Sequence, residues 1–220
     1  MTPKQWHRYW IRETALFIGE HTDSGAFVEA GVKQGTSTVI SMQALEGERG
    51  VLFDTWRGFV HYSKQDILNP NREKRLKKRI GTGKNTYEDC RRSLKKNGLI
   101  DKCEMFRGDI LETVPKFVSE NSDIKIQFMH ADTDLYMPTK VSLDCFSPFI
   151  IDKGAIFCHD FYDPKWQIHI AVEEFLEVST GWQLFAFDPK IVKSLGLHAC
   201  VLFKGDEEYL NEFSDFVDAR

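Results

Sequence analysis

The chain has 220 residues, a net charge of -4, and 42% hydrophobic, 28% charged and 13% aromatic residues, which excludes collagenous, disordered and coiled-coil classes. A total charge this small supplies no bulk field for nucleic acid or an anionic membrane, so neither is an expected partner. Its five cysteines, Cys90, Cys103, Cys145, Cys158 and Cys200, are odd in number, widely spaced and without a C-x-x-C pair, the pattern of buried thiols in a reducing cytoplasm rather than of a disulfide frame or a cysteine zinc site.

In the first twenty residues Lys4, His7, Arg8, Arg12 and Glu13 interrupt the apolar positions, unlike a signal peptide. No later run approaches the roughly 20 apolar residues that span a bilayer, and a cytoplasmic location is expected. This first stretch reads as a helix whose aromatic residues, Trp6, Tyr9, Trp10 and Phe17, would cover a sheet edge or a partner in a homodimer. Short apolar runs then alternate with amphipathic stretches, which predicts an α/β domain with a mostly parallel sheet covered by helices. The strand candidates are residues 26–30, 50–53, 103–106, 124–130, 154–158, 183–187 and 199–203. Helix candidates are 37–45, 86–97, 111–120, 138–146 and 167–178. Between the last two strands, residues 188–197 carry Pro189 and Gly196 and no clear helix, so an antiparallel edge is expected there.

The exception to short connections is 55–85, which shows no steady period and is read as a long functional loop. Within it Arg72, Lys74, Arg75, Lys77, Lys78, Arg79 and Lys84 face one acid, Glu73. Such a run is usually a solvated face; as a lid over the site it would suit a phosphate-bearing or otherwise anionic ligand.

Two constellations carry chemistry. Phe27, Val28, Glu29, Ala30 and Gly31 lead through Lys33 and Gly35 to Thr36 and Ser37, a strand entering a glycine turn that opens a helix. The spacing is E-x-G-x-x-x-G, and a carboxylate at Glu29 would repel a pyrophosphate, which argues against a nicotinamide enzyme and for a cationic ligand. About 20 residues on, Asp54 stands where open α/β sheets place the acid that meets a ribose. Further along, one strand exits into His130, Ala131, Asp132, Thr133, Asp134, Leu135 and Tyr136, and the next into His159 and Asp160. Neighbouring strands would bring these acids to one rim, a set suited to Mg²⁺ or Mn²⁺, with the imidazole shifting preference toward Mn²⁺, Fe²⁺ or Zn²⁺. Strand-exit acids also serve as helix caps, but the four together favour a site. The histidines His7, His21, His61, His169 and His198 show no partner spacing and are assigned no role.

These segments, with Leu52, Phe53, Asp54, Thr55, Trp56, Arg57, Gly58 and Phe59, and with Met137, Pro138 and Thr139 after Tyr136, resemble the macrocin O-methyltransferase family over about residues 27–176. The resemblance implies a single Rossmann-like class I methyltransferase domain that uses S-adenosylmethionine, with a seven-stranded, mostly parallel sheet, an antiparallel edge strand and helices on both faces. It further implies an N-terminal helical segment at 1–25, the methyltransferase domain at 26–206 with a lid-like insertion at 55–85, and a tail or helix at 207–220. By resemblance Glu29, Gly31, Gly35 and Ser37 hold the amino-acid end of the cofactor, Asp54 meets its ribose, Asp109 lies near its adenine, and Asp132 borders it. Asp132, His159 and Asp160 would hold a divalent metal, and Asp134 would be the general base. The family's two acids are here His159 and Asp160, so a metal-free enzyme with His159 as base is one alternative. A non-catalytic nucleotide or polyanion binder is another. The acceptor is expected to be a small molecule with a hydroxyl, such as a sugar.

Overall fold

Central strands buried on both faces should be apolar almost without interruption, whereas helices need only one apolar stripe. A computed structural model, which describes residues 2–219, places α1 (Pro3–His21), β1 (Ala26–Ala30), α2 (Thr36–Ala44), β2 (Gly50–Asp54), α3 (Pro70–Arg79), α4 (Tyr87–Lys96), β3 (Cys103–Arg107), α5 (Ile110–Glu120) and β4 (Ile126–Ala131) in that order. They are followed by α6 (Tyr136–Phe146), β5 (Ile150–His159), α7 (Ile168–Val178), β6 (Trp182–Ala186), α8 (Pro189–Leu195), β7 (Ala199–Lys204) and α9 (Glu207–Asp218). Met1 and Arg220, the ends of the two terminal segments, lie outside the described residues.

The strands form one sheet in the order β3-β2-β1-β4-β5-β7-β6. Pairing is parallel from β3 to β5 and antiparallel where β7 joins β5 and β6. The chain leaves β1 toward β2 and β3, then returns to add β4 on the other side, so the order reverses between β1 and β4. Ligands of open α/β sheets bind beyond the carboxyl ends of the strands at such a reversal. Glu29 is level with His130, and Ala30 with Ala131; Ala131 is level with Cys158. The exits of β1, β4 and β5 therefore open onto one rim.

Alternation along each strand divides the core in two. Val28, Phe53, Met129 and Ile156 face Phe117, Phe146 and Phe175 of α5, α6 and α7. Phe27, Leu52, Phe128 and Phe157 face Phe17 of α1, Met42 of α2, Leu94 of α4 and Phe213 of α9. The aromatic side of α1 thus lies on a sheet face of its own chain, and the expected sheet-edge placement is corrected. No helix among the described residues is long and apolar enough to cross a membrane.

Two further expectations are corrected. Within 55–85, α3 starts at Asn69, whose Oδ1 accepts from the Arg72 N–H at 2.9 Å, with Pro70 in the first turn. It escapes a periodicity test because Leu76 is its sole apolar residue. Likewise α8 stands between β6 and β7, capped by Asp188, whose Oδ1 accepts from the Lys190 N–H at 2.6 Å, and ended by Gly196 at φ 64°.

Candidate active site

At the reversal, β1 and β4 approach too closely for a side chain. Gly31 has φ 92°, and a Cβ there would lie 1.9 Å from the Asp132 carbonyl oxygen. Two bonds set the approach: the Asp132 N–H donates to the Ala30 carbonyl at 2.8 Å and the Gly31 N–H to the Phe53 carbonyl at 2.8 Å. Only glycine meets both demands.

Glu29 shares a strand face with Phe27, the face under α2. Its carboxylate is fully buried and accepts hydrogen bonds from Ser37 Oγ and Thr38 Oγ1 in the first turn of α2. The third partner is His130 Nδ1 at 2.8 Å, leaving His130 Nε2 buried without a hydrogen-bond partner. Glu29 and Ser37, expected at the cofactor, are thus engaged inside the protein, and Gly35 packs against Cys90 Sγ. None of these three lines the cleft. Strand alternation is the reason: a residue two after Phe27 points with it.

The cleft itself has a volume of about 500 Å³, within the usual range for small-molecule sites. Of the residues expected to hold a cofactor, Gly31, Asp54, Asp109 and Asp132 line it. Asp54 accepts from the Lys33 N–H at 2.7 Å and the Trp56 N–H at 2.6 Å, tying the glycine turn to the start of 55–85. Asp109 caps α5 through the Leu111 N–H at 3.0 Å, and its other oxygen lies 3.2 Å from His61 Nδ1. One wall of the cleft is contributed by Phe59, Val60, Arg79, Thr82 and Lys84.

Opposite stand Asp132, Asp134 and His159, with Asp160 directly behind. His159 Nδ1 lies 3.0 Å from Asp160 Oδ1 and 3.2 Å from Asp132 Oδ1, yet it makes no aligned hydrogen bond. One ligand atom from each of Asp132, His159 and Asp160 lies within 4.8 Å of the others. Two carboxylates and an imidazole with an unengaged nitrogen are a donor set that fits a divalent cation. Electrostatics bind the cluster: burial opposes a charge on His159, but Asp132, Asp160 and Asp134 outweigh it and push the imidazole up to about 9. Burial, then the charges of Asp132 and Asp160, raise the Asp134 carboxyl well above the ordinary carboxylate range. Asp160 moves the other way, because the close approach and charge of the His159 imidazole outweigh its burial. Asp134 and Asp160 hold left-handed backbone, at φ 63° and 61°, which side chains adopt at a cost and which recurs at functional sites.

Two contributors carry no sequence signal. His7 of α1 lays its ring on that of His159, with centroids 4.0 Å apart and a tilt of 37°. Burial, then the neighbouring His159, lower it to about 3, so the ring is neutral and its Nδ1 is buried without a partner. Asp66, buried within 55–85, accepts from the Tyr136 N–H at 2.9 Å and from Ser63 N–H and Oγ at 2.8 and 2.7 Å, fastening that segment to the start of α6. Nothing in the local sequence marks either residue, since each depends on contacts between distant segments.

Among solved structures, the chain resembles the calicheamicin methyltransferase CalS11, with 24% identity, 88% of this chain and 77% of that one covered, and a TM-score of 0.67. It resembles the O-methyltransferase NovP with 18% identity, coverage of 90% and 79%, and a TM-score of 0.70. An O-methyltransferase from Bacillus cereus, in complex with S-adenosylhomocysteine, matches at 12% identity, coverage of 94% and 82%, and a TM-score of 0.60. At these identities the likeness is one of fold. No curated protein matches the chain in sequence. The family model described as a methyltransferase domain matches residues 28–161, from the strand before the glycine turn to the residue after Asp160, and the chain therefore belongs to the methyltransferase-domain family.

Proposed function

We propose that the protein is an S-adenosylmethionine-dependent O-methyltransferase acting on a hydroxyl of a sugar or another small molecule, with Asp134 as general base and a divalent cation held by Asp132, His159 and Asp160. The observation that carries this is the meeting, in one cleft, of the Gly31, Asp54 and Asp109 side with Asp132 and Asp134 at the exit of β4 and His159 at the end of β5. Asp54 would hold the ribose of the cofactor, Asp109 would lie by its adenine, and the turn at Gly31 would let its backbone approach. Once bound, the cofactor supplies a methyl group on a sulfonium, and the cation supplies charge that makes an adjacent hydroxyl more acidic. The chain's own task is to align the acceptor oxygen and to receive its proton. The surroundings that raise Asp134 make its ionised form a strong proton acceptor, and a cation shared by Asp132 and Asp160 would offset the two charges that oppose ionisation. Glu29 contributes by holding the glycine turn to α2 rather than by touching the cofactor. His159 as base is disfavoured: without a cation an imidazole held at about 9 already carries its proton at neutral pH, and a cation bound there would displace that proton and occupy the nitrogen.

Calorimetric titration with S-adenosylmethionine tests the division of labour. Asp54→Ala should weaken binding at least about ten-fold. Asp134→Asn should bind within about two-fold of the parent yet lose about 10²–10⁴-fold in transfer of labelled methyl to a panel of sugar acceptors. Full activity in Asp134→Asn removes the base assignment, and full activity after exhaustive EDTA treatment removes the metal.

A further inference from the structure

Resting on the reading of this cleft as a methyl-acceptor site, we propose that Arg72 and Arg79 form a binding site for an oxyanion, phosphate or carboxylate, carried by the acceptor. In α3, Arg72, Leu76 and Arg79 stand at i, i+4 and i+7, one stripe of the helix. Leu76 is buried, which turns that stripe inward. Lys74, Arg75, Lys77 and Lys78 are exposed, and Lys77 already pairs with Glu73 at 2.7 Å. The basic run is therefore two populations, a solvated outer face and an inward pair, in which Arg72 is half-buried and Arg79, although exposed, lines the cleft.

The inward pair is built onto aromatic rings. The Arg72 guanidinium stacks 4.0 Å from the centroid of Trp166. That of Arg79 lies 4.9 Å from Phe59 and 5.5 Å from the same Trp166. Stacking fixes the planes of the two forks and leaves their edge N–H groups to donate. Those donors are not engaged: neither arginine has an ion-pair partner within 4.0 Å among the described residues, and Arg72 Nε and Nη2 are buried without a hydrogen-bond partner. Burial, then the positive charge of Arg79, lower the Arg72 guanidinium, while Asp66, Asp134 and Asp163 partly offset them. Two guanidinium groups on one indole are the arrangement an oxyanion relieves, because each fork donates in parallel to two oxygens. Arg79 lines the same cleft as Asp134. An acceptor with its hydroxyl at the acids would thus present its anionic group to α3.

The test is calorimetric titration of metal-stripped, full-length protein at fixed ionic strength, with inorganic pyrophosphate and glucuronate as probes. The parent should bind at least one of them saturably, and which one it prefers separates a phosphate from a carboxylate source. Arg72→Ala with Arg79→Ala should weaken that binding at least ten-fold while keeping S-adenosylmethionine affinity within two-fold. The outer-face variant R75A/K77A/K78A should stay within two-fold for the probe. Saturable binding of neither probe, or an equal loss in the outer-face variant, overturns the proposal. A parent protein that fails to bind S-adenosylmethionine overturns the methyl-transfer reading instead, and the oxyanion titration still decides for the arginines.

Discussion

A ligating imidazole is usually held in plane by a hydrogen bond from its second nitrogen; His159, proposed above as a ligand, has the face of His7 against it. If packing orients the ring, His7→Ala should displace the His159 side-chain ¹⁵N resonances in metal-free protein, and His7→Phe, which restores a ring, should return them. Unmoved resonances in His7→Ala would show that the contact is incidental. The acids Asp132, Asp134 and Asp160 were legible in the sequence because an apolar run ending in acids marks both the strand and its exit. His7 was not, because its partner, His159, is distant along the chain. Glu29 was legible as an unusual residue, and Phe27, two positions earlier, tells which face its side chain takes.

Among the elements, the segment between β2 and α4 is fastened at few points. Backbone meets backbone where a Cβ on Gly83 would lie 2.4 Å from the Arg57 carbonyl and the Gly58 nitrogen, Phe59 pairs with Ile80 in an isolated bridge, and Asp66 holds the first turn of α6. Losing a cap of this kind costs about 1 kcal/mol, small against a domain and large for a loop. Asp66→Ala should therefore accelerate protease nicking between residues 55 and 85 while shifting the global melting temperature by only a few degrees; unchanged nicking would show that Asp66 is not the fastening. That α3 exists was signalled only by Asn69 and Pro70, a cap followed by proline. Its lack of an apolar stripe follows from its position, with one buried residue and otherwise cleft or solvent around it.

Across the whole molecule, the two ends of the chain share one packing node. Phe17 of α1 lies 5.0 Å from Phe213, 5.2 Å from Phe216 and 5.4 Å from Tyr209, all of α9, and 6.2 Å from Phe203 of β7, between ring centroids. Phe17→Ala should lower stability by about 3–5 kcal/mol in urea unfolding; a loss below about 1 kcal/mol would mean that the face repacks without it. The parallel half of the sheet was readable from its apolar runs. The antiparallel pairing of β6 and β7 was readable too, but the insertion of β7 between β5 and β6 was not, since local pattern does not specify which edge a returning strand joins.

The contact at Gly31 divides the site by tolerance to change. Where β1 and β4 touch backbone to backbone, neither turn can shift without the other, so a change on either side displaces both. The wall built from 55–85 is held by a bridge, a glycine, a buried aspartate, Leu76 and two arginines on Trp166, and surface segments of that kind accept substitution and insertion. Substitutions in this segment should therefore alter which ligand the cleft admits while leaving the contact at Gly31 as it stands.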